Sequence, residues 1–234
     1  MKKLLISLFF TLLFGAEFAN ANTIKDYSTN SQKSFGEALA ILKQYCNDGN
    51  SESCANIGVT YMSGSFAKQD FVLANEYLKK ACDKNSVEGC HNLGSLYLNG
   101  NGVGQNSTKA VQIYEKNCKN SGVDSCFNLG VIYDNGNYNI AQNTTKALEF
   151  YQKACTLQNS VGCYNLGVIY EHGKNVEQSF LKAKEFYEEA CEKNFGISCY
   201  NLGILYIRGQ EIAVNEAKAA LNFEKACNLE YSFG

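Results

Sequence analysis

The sequence contains little histidine and no excess of positive charge, and both features exclude classes of function. Its only histidines among 234 residues are His91 and His172. A catalytic zinc centre needs several ligands grouped together, which two isolated histidines cannot supply. The 21 basic and 23 acidic residues give a net charge of −2, so no electrostatic attraction to nucleic acid is expected. We therefore predict no metal, no cofactor and no nucleic-acid partner.

Long apolar runs are also missing after the first residues, so the sequence predicts no membrane span. The chain opens with Lys2 and Lys3, an apolar run over residues 4–14, and an Ala-x-Ala site that ends at residue 21. This pattern is typical of a cleavable secretory signal peptide over residues 1–21. No cysteine lies near the site, which argues against a lipid-modified N-terminus. We predict an exported protein, located in the periplasm or outside the cell.

Cysteine, in contrast, is abundant and regularly spaced. Ten of the eleven cysteines form five pairs with a spacing of eight residues. The pairs recur every 36 residues, with one step of 37. The pairs are Cys46 and Cys54, Cys82 and Cys90, Cys118 and Cys126, Cys155 and Cys163, and Cys191 and Cys199, followed by Cys227 alone. A fixed period of this length predicts a tandem array of similar structural units.

The spacing within each pair favours a disulfide over a metal site. Zinc-binding cysteines usually lie two to four residues apart, whereas disulfides are common in exported proteins. In one unbroken helix, the two cysteines of a pair would be ~12 Å apart, beyond the ~7 Å limit for a disulfide. The chain must therefore turn between them, and a local bridge within an antiparallel helical hairpin is predicted for all five pairs.

Other residues repeat with the cysteines and predict two helices per unit. Residues 146–155 have the 3.6-residue period of an amphipathic helix. A serine or threonine just ahead, as in Ser107-Thr108 and Thr144-Thr145, is predicted to cap the first turn. The second helix has the pattern Cys-x-Asn-(Leu/Ile)-Gly-x-x-Tyr and is followed by a glycine suited to a left-handed cap. The glycine inside the pattern is predicted to admit a neighbouring helix at its small alanines, with the tyrosine filling the gap beside it.

The sequence thus predicts an all-α superhelix of disulfide-linked hairpins. We assign residues 22–33 to an N-terminal extension and residues 34–234 to five complete units with a truncated sixth. Cys227 belongs to that sixth unit, and its partner would fall at position 235. Three explanations stay open for it: a truncated reading frame, a free reactive thiol, or a disulfide with another chain.

The combined motif is similar to that of a known repeat. The pattern Asn-Leu-Gly-x-x-Tyr-x-x-Gly, a loop, and then Lys-Ala-x-x-x-Tyr-x-Lys-Ala-Cys resembles the Sel1-like repeat, a relative of the tetratricopeptide repeat. With its cysteine pairs and signal peptide, the chain over residues 34–230 resembles the Helicobacter cysteine-rich protein family. The resemblance implies a right-handed superhelix with a concave face, and an exported protein whose relatives are labelled penicillin-binding proteins or β-lactamases.

The resemblance also implies a binding groove. In tetratricopeptide repeats the asparagine of the second helix lies on the concave face and binds extended peptides. The matching residues are Asn56, Asn92, Asn128, Asn165 and Asn201, joined on the same face by Phe127, Tyr164 and Tyr200. Implied partners are a peptide, a cell-wall fragment or a host protein, and an aromatic floor favours an uncharged ligand. Alternatively, each asparagine fixes a neighbouring helix or loop.

The β-lactamase label requires catalytic residues, and the sequence offers only part of them. Ser65 with Lys68, and Ser179 with Lys182, match the Ser-x-x-Lys element of serine β-lactamases. The Ser-Asp-Asn and Lys-Thr-Gly elements are absent from the sequence. We therefore favour a binding scaffold, with a penicillin-binding protein or weak β-lactamase as the alternative.

Overall fold

The structure, a computed structural model, describes residues 35–230. The predicted signal peptide at 1–21 and extension at 22–33 lie outside the described residues. Within the described part of the chain there are eleven helices and no strand. None of these helices has the length and apolar character needed to cross a membrane.

The helices alternate as the first and second members of successive hairpins. The first helices are α1 (35–47), α3 (Phe71–Asp83), α5 (Ser107–Lys119), α7 (Thr144–Thr156), α9 (Phe180–Glu192) and α11 (Glu216–Asn228). The second helices are α2 (Ser51–Ser63), α4 (Val87–Asn99), α6 (Val123–Asn135), α8 (Ser160–His172) and α10 (Gly196–Arg208). Each helix packs mainly against its neighbours along the chain. The predicted all-α solenoid is confirmed.

The helix ends follow the repeat, with one correction. The glycine after each second helix adopts the left-handed conformation, as at Gly136 with φ 67°. In α5 and α7 the cap is the asparagine just before the predicted serine and threonine residues. Asn106 and Asn143 cap α5 and α7 by accepting hydrogen bonds from the backbone N–H groups of Lys109 and Lys146. Ser107 and Thr144 are instead the first residues of these helices, because the asparagine oxygen already satisfies the exposed N–H.

The disulfides join the end of each first helix to the first turn of the second. All five pairs are bonded, with Cα atoms 4.4 to 4.8 Å apart. A short turn brings them this close, and one residue in it has positive φ, such as Ser121 at 64°. The cysteines of these pairs are buried. Each bridge therefore fixes the angle between two helices from inside the hairpin.

The glycines of the second helices admit large side chains, which differs from the sequence expectation. Each glycine faces one residue of the following first helix rather than its alanines. The contacts are Gly58 with Leu78, Gly94 with Tyr114, Gly130 with Tyr151, Gly167 with Tyr187 and Gly203 with Phe223. The alanines were expected because small residues allow close approach, but here the glycine alone provides the space for an aromatic ring.

The tyrosines in the repeated pattern of the second helices have a different role from the one predicted. Tyr133 stacks on Phe150 with ring centroids 5.8 Å apart, and Tyr170 stacks on Phe186 at 5.7 Å. They pack side by side with the next first helix and do not fill the space at the glycines. Two layers of aromatic contacts thus hold α6 and α8 to the helices that follow them.

We predict that Gly167→Ala destabilises the protein. A Cβ at this position would lie 2.5 Å from the Tyr187 ring, which is fully buried and cannot move away freely. Overpacking should exceed the gain in helix propensity and lower the free energy of unfolding by roughly 1 to 2 kcal/mol in urea denaturation. Gly104→Ala is the control, because nothing lies within 4 Å of its added Cβ. Equal midpoints for both variants would contradict this packing account.

Candidate functional site

The asparagines of the second helices occur in two different environments. Those of the later repeats interact with hydroxyl groups of buried tyrosines in the preceding first helix. The pairs are Asn128 with Tyr114, Asn165 with Tyr151, and Asn201 with Tyr187. Burial raises the pKa of Tyr114 to about 12, and the Asn128 and Ser95 side chains oppose that rise. In these repeats the asparagine ties two helices together, which was the alternative interpretation of the sequence.

Asn56 and Asn92 have no such partner. The position of Tyr114 is taken by Leu42 and Leu78 in the two preceding first helices, and leucine carries no hydroxyl group. Among the described residues, the side-chain amides of Asn56 and Asn92 make no hydrogen bond. Asn56 is exposed and Asn92 is half-buried. Both amides are therefore available to a ligand, and both belong to the N-terminal half of the array.

The predicted groove aromatics are half-buried and lie on the core rings of the next first helix. Phe127 lies 6.0 Å from Tyr151, and Tyr164 lies 5.9 Å from Tyr187, measured between ring centroids. Tyr200 similarly lies 5.5 Å from Phe223. His91 occupies the equivalent position in α4, 5.9 Å from Tyr114. Each ring closes the core with one face, so only part of it can contact a ligand.

A cleft of about 510 Å³ lies between the second helices α4 and α6. Its lining residues are Val87, Glu88, His91, Asn92, Asn117, Gly122, Asp124 and Ser125. Its volume falls within the ~300–1,000 Å³ range of small-ligand pockets. Asn92 is the one predicted groove residue that lines this cleft, and His91 lines it as well. The cleft thus combines an amide without a hydrogen-bond partner with a concave surface.

His91 brings an uncharged ring into the cleft. Its Nδ1 atom is buried and has no hydrogen-bond partner among the described residues. Burial lowers the pKa of His91, while the negative charges of Asp124 and Glu88 oppose that effect. A neutral ring costs less to bury than a charged one, although its unpaired Nδ1 still carries a desolvation cost.

Asn117 shapes the floor of the cleft, and the sequence analysis did not single it out. It is 1% exposed, and its Nδ2 donates to the Val87 carbonyl at 2.9 Å and to Ser125 Oγ at 2.8 Å. These bonds connect the C-terminal end of α5 to the first turns of α4 and α6. Alanine occupies this position at 81, 154, 190 and 226. A buried polar residue in an alanine position is the signal that could have located the cleft.

Comparison with known proteins identifies the repeat. A family model described as the Sel1 repeat matches residues 51–86, 87–120, 123–159, 160–195 and 196–231. The chain belongs to the Sel1 repeat family. The predicted Sel1-like repeat is thereby confirmed. A search among curated proteins found no match.

Several solved structures resemble the chain. A protective antigen of uropathogenic Escherichia coli with a Sel1-like fold is 26% identical over 82% of this chain, with a TM-score of 0.71, and this chain covers 41% of its length. A Sel1 repeat protein from Oxalobacter formigenes is 24% identical, with 87% of this chain and 82% of that chain covered and a TM-score of 0.71. Helicobacter pylori cysteine rich protein B is 35% identical over 52% of this chain and 86% of its own, with a TM-score of 0.41.

The Sel1 repeat begins at a second helix and ends with the following first helix. The match over residues 87–120, for example, contains α4 and α5. The contact between Gly94 and Tyr114 therefore lies within one repeat, whereas the disulfide of Cys118 and Cys126 joins that repeat to the next. Aromatic packing holds each Sel1 repeat together, and a covalent bond fixes it to its neighbour.

The Ser-x-x-Lys pairs do not form a nucleophile with a base in this structure. Ser179 caps α9, and its Oγ accepts a hydrogen bond from the Lys182 backbone N–H at 3.3 Å. The Lys182 ammonium lies over the Tyr170 ring, 4.9 Å from its centroid. The Ser179 hydroxyl donates to Glu211 Oε2 at 3.4 Å rather than to the lysine of the motif, which would have to act as its base. Ser65 lies on an exposed bend after α2.

Two further places among the described residues bring cysteine side chains into question as a metal site or a free thiol. Cys155, Cys163 and Glu189 come close enough to hold a metal, but the two sulfur atoms already form a disulfide. Cys227 lies exposed in the last turn of α11 and is the one free cysteine among the described residues. A free reactive thiol and a disulfide with another chain both stay open for it.

Proposed function

We propose that this Sel1 repeat scaffold is an exported protein that binds an extended peptide segment of another protein along its second helices. Sel1 repeats are a protein-binding class of scaffold. The five disulfides indicate an oxidising environment, which supports export to the periplasm or the medium. The sequence also predicted a cell-wall fragment or a host protein as the partner. Identification of the bound ligand would decide between them.

The availability of the Asn56 and Asn92 amides is the observation that supports this proposal. An amide both donates and accepts hydrogen bonds, which suits the N–H and C=O groups of a peptide backbone. Asn92 adds a half-buried position in the cleft between α4 and α6. The asparagines of α6, α8 and α10 are engaged by tyrosines, so the binding segment is expected mainly at α2 and α4, with α6 forming the far side of the cleft.

We predict that Asn56→Ala with Asn92→Ala weakens peptide binding without lowering stability. Within residues 35–230 these amides make no hydrogen bond, and alanine is the better helix former, so the substitutions should not lower the urea midpoint. Binding should fall by about ten-fold, as expected when two hydrogen bonds to the ligand are lost. The measurement is fluorescence titration of the oxidised protein with peptides selected from a displayed decapeptide library.

The matched control is Asn165→Ala, which removes an amide that interacts with the Tyr151 hydroxyl. This variant should lower stability and affect binding less. Undiminished peptide binding by the Asn56→Ala, Asn92→Ala double variant would refute the proposed site. Selection of no binding peptide at all would refute the proposed function.

A further inference from the structure

The cleft between α4 and α6 carries negative charge that no cation neutralises within the described residues. Glu88 and Asp124 are exposed at its edge, and neither takes part in the six ion pairs of the described chain. Two other carboxylates of the second helices are paired: Asp134 lies 2.8 Å from Lys174, and Glu171 lies 3.3 Å from Arg208. The described second-helix carboxylates outside the ion pairs are Glu52, Glu88 and Asp124. Of these, Glu88 and Asp124 lie together at this cleft.

The rest of the cleft adds no positive charge. Burial favours the neutral form of the His91 ring, and both carboxylates lie near enough to act on its charge. The Asn117 amide at the floor is engaged by Val87 and Ser125. A cationic group entering the cleft would therefore meet two carboxylates, a neutral ring with a buried unpaired nitrogen, and no repelling charge.

We propose that this cleft is the anchor pocket for a lysine or arginine side chain of the bound peptide. The cationic head would pair with Glu88 and Asp124, and the aliphatic stem would lie against His91. Hydrogen bonds between charged groups are the stronger kind, and arginine can engage a carboxylate through two parallel bonds. This inference rests on the proposed peptide-binding function. It differs from the sequence expectation of an uncharged ligand, which considered only the aromatic positions.

The experiment uses synthetic decapeptides of serine, alanine and tyrosine that differ only at one central residue. Peptides with central Arg or Lys should bind the oxidised protein about ten-fold more tightly than the peptide with Gln, and the peptide with Glu should bind more weakly still. The double variant Glu88→Gln, Asp124→Asn should lose this preference while binding the Gln peptide as before. Both substitutions are at exposed positions and nearly isosteric, so folding is retained.

Glu76→Gln is the matched control, because Glu76 is an exposed carboxylate already paired with Lys80 on α3. It should leave the preference for Arg and Lys unchanged. Equal binding of the Arg and Gln peptides would overturn the anchor pocket and leave the proposed function standing.

A second probe separates the two proposals if no decapeptide binds. Titration with Nα-acetyl-arginine amide, followed by NMR, should give saturable shifts at Glu88, His91 and Asp124 that vanish in the double variant. That result would support the pocket even though the peptide-binding function had failed. Absence of any shift at these three residues would overturn the pocket.

Discussion

Reduction of the five disulfides should unfold the array under conditions in which the oxidised protein is stable. Each bridge closes a loop of eight residues, worth about 2 to 3 kcal/mol by the chain-entropy model. The loops do not overlap along the chain, so their effects should add to roughly 10 kcal/mol or more. That sum is comparable to the ~5–15 kcal/mol stability of a whole domain. The measurement is far-UV circular dichroism in urea, with and without a phosphine reductant.

One bridge can also be removed alone. Replacing Cys118 and Cys126 together by alanine should lower the free energy of unfolding by about 2 to 3 kcal/mol. Cys227→Ser is the control, because that thiol is exposed and unbonded. It should leave the urea midpoint unchanged. If the reduced and oxidised proteins unfold at the same urea concentration, the disulfides are not what keeps the helices paired.

The architecture was predictable because it depends on spacing. A pair of cysteines eight residues apart requires a turn between them, and the period of 36 residues requires equivalent hairpins. The glycine caps after the second helices followed from the same reasoning. The N-caps of α5 and α7 were misplaced because asparagine, serine and threonine stand at adjacent positions there, and all of them can cap a helix.

The candidate site was less predictable, because it arises from departures from the repeat. The five asparagines look equivalent in sequence, yet a tyrosine in the preceding helix engages Asn128 and a leucine leaves Asn92 unengaged. This difference depends on which side chain of one helix faces a given residue of the next. The sequence pattern gives the period of each helix but not its contacts with the other, so the partners could not be assigned.

The cleft between α4 and α6 also arises from a departure from the repeat. Asn117 replaces an alanine, and its bonds to Val87 and Ser125 organise the first turns of α4 and α6. Glu88 and Asp124 belong to those turns. The N-terminal repeats therefore differ from the C-terminal ones in both hydrogen bonding and charge. Under the proposed function, this difference would leave the N-terminal repeats free to contact a ligand, whereas the asparagines of the later repeats serve helix-to-helix contacts.

Tyr151→Ala should be the most destabilising single substitution in the central repeats. The Tyr151 side chain is 1% exposed, fills the space at Gly130 and packs against Phe127. Truncation would leave a cavity that the paired helices α6 and α7 cannot close, because the disulfides at both ends fix their neighbours. Loss of a buried aromatic side chain costs about 3 to 5 kcal/mol. Urea denaturation would measure this loss.

Two further variants separate the contribution of the Tyr151 ring from that of its hydroxyl group and from the effect of removing an exposed tyrosine. Tyr151→Phe keeps the ring but removes the hydroxyl that interacts with Asn165, and should cost only about 0.5 to 1.5 kcal/mol. Tyr45→Ala truncates a 44% exposed side chain of α1 and should have little effect. Because each repeat contacts only its neighbours, hydrogen exchange in Tyr151→Ala should increase first in α6 and α7. Equal urea midpoints for Tyr151→Ala and Tyr151→Phe would show that the ring at Gly130 does not hold the repeat together.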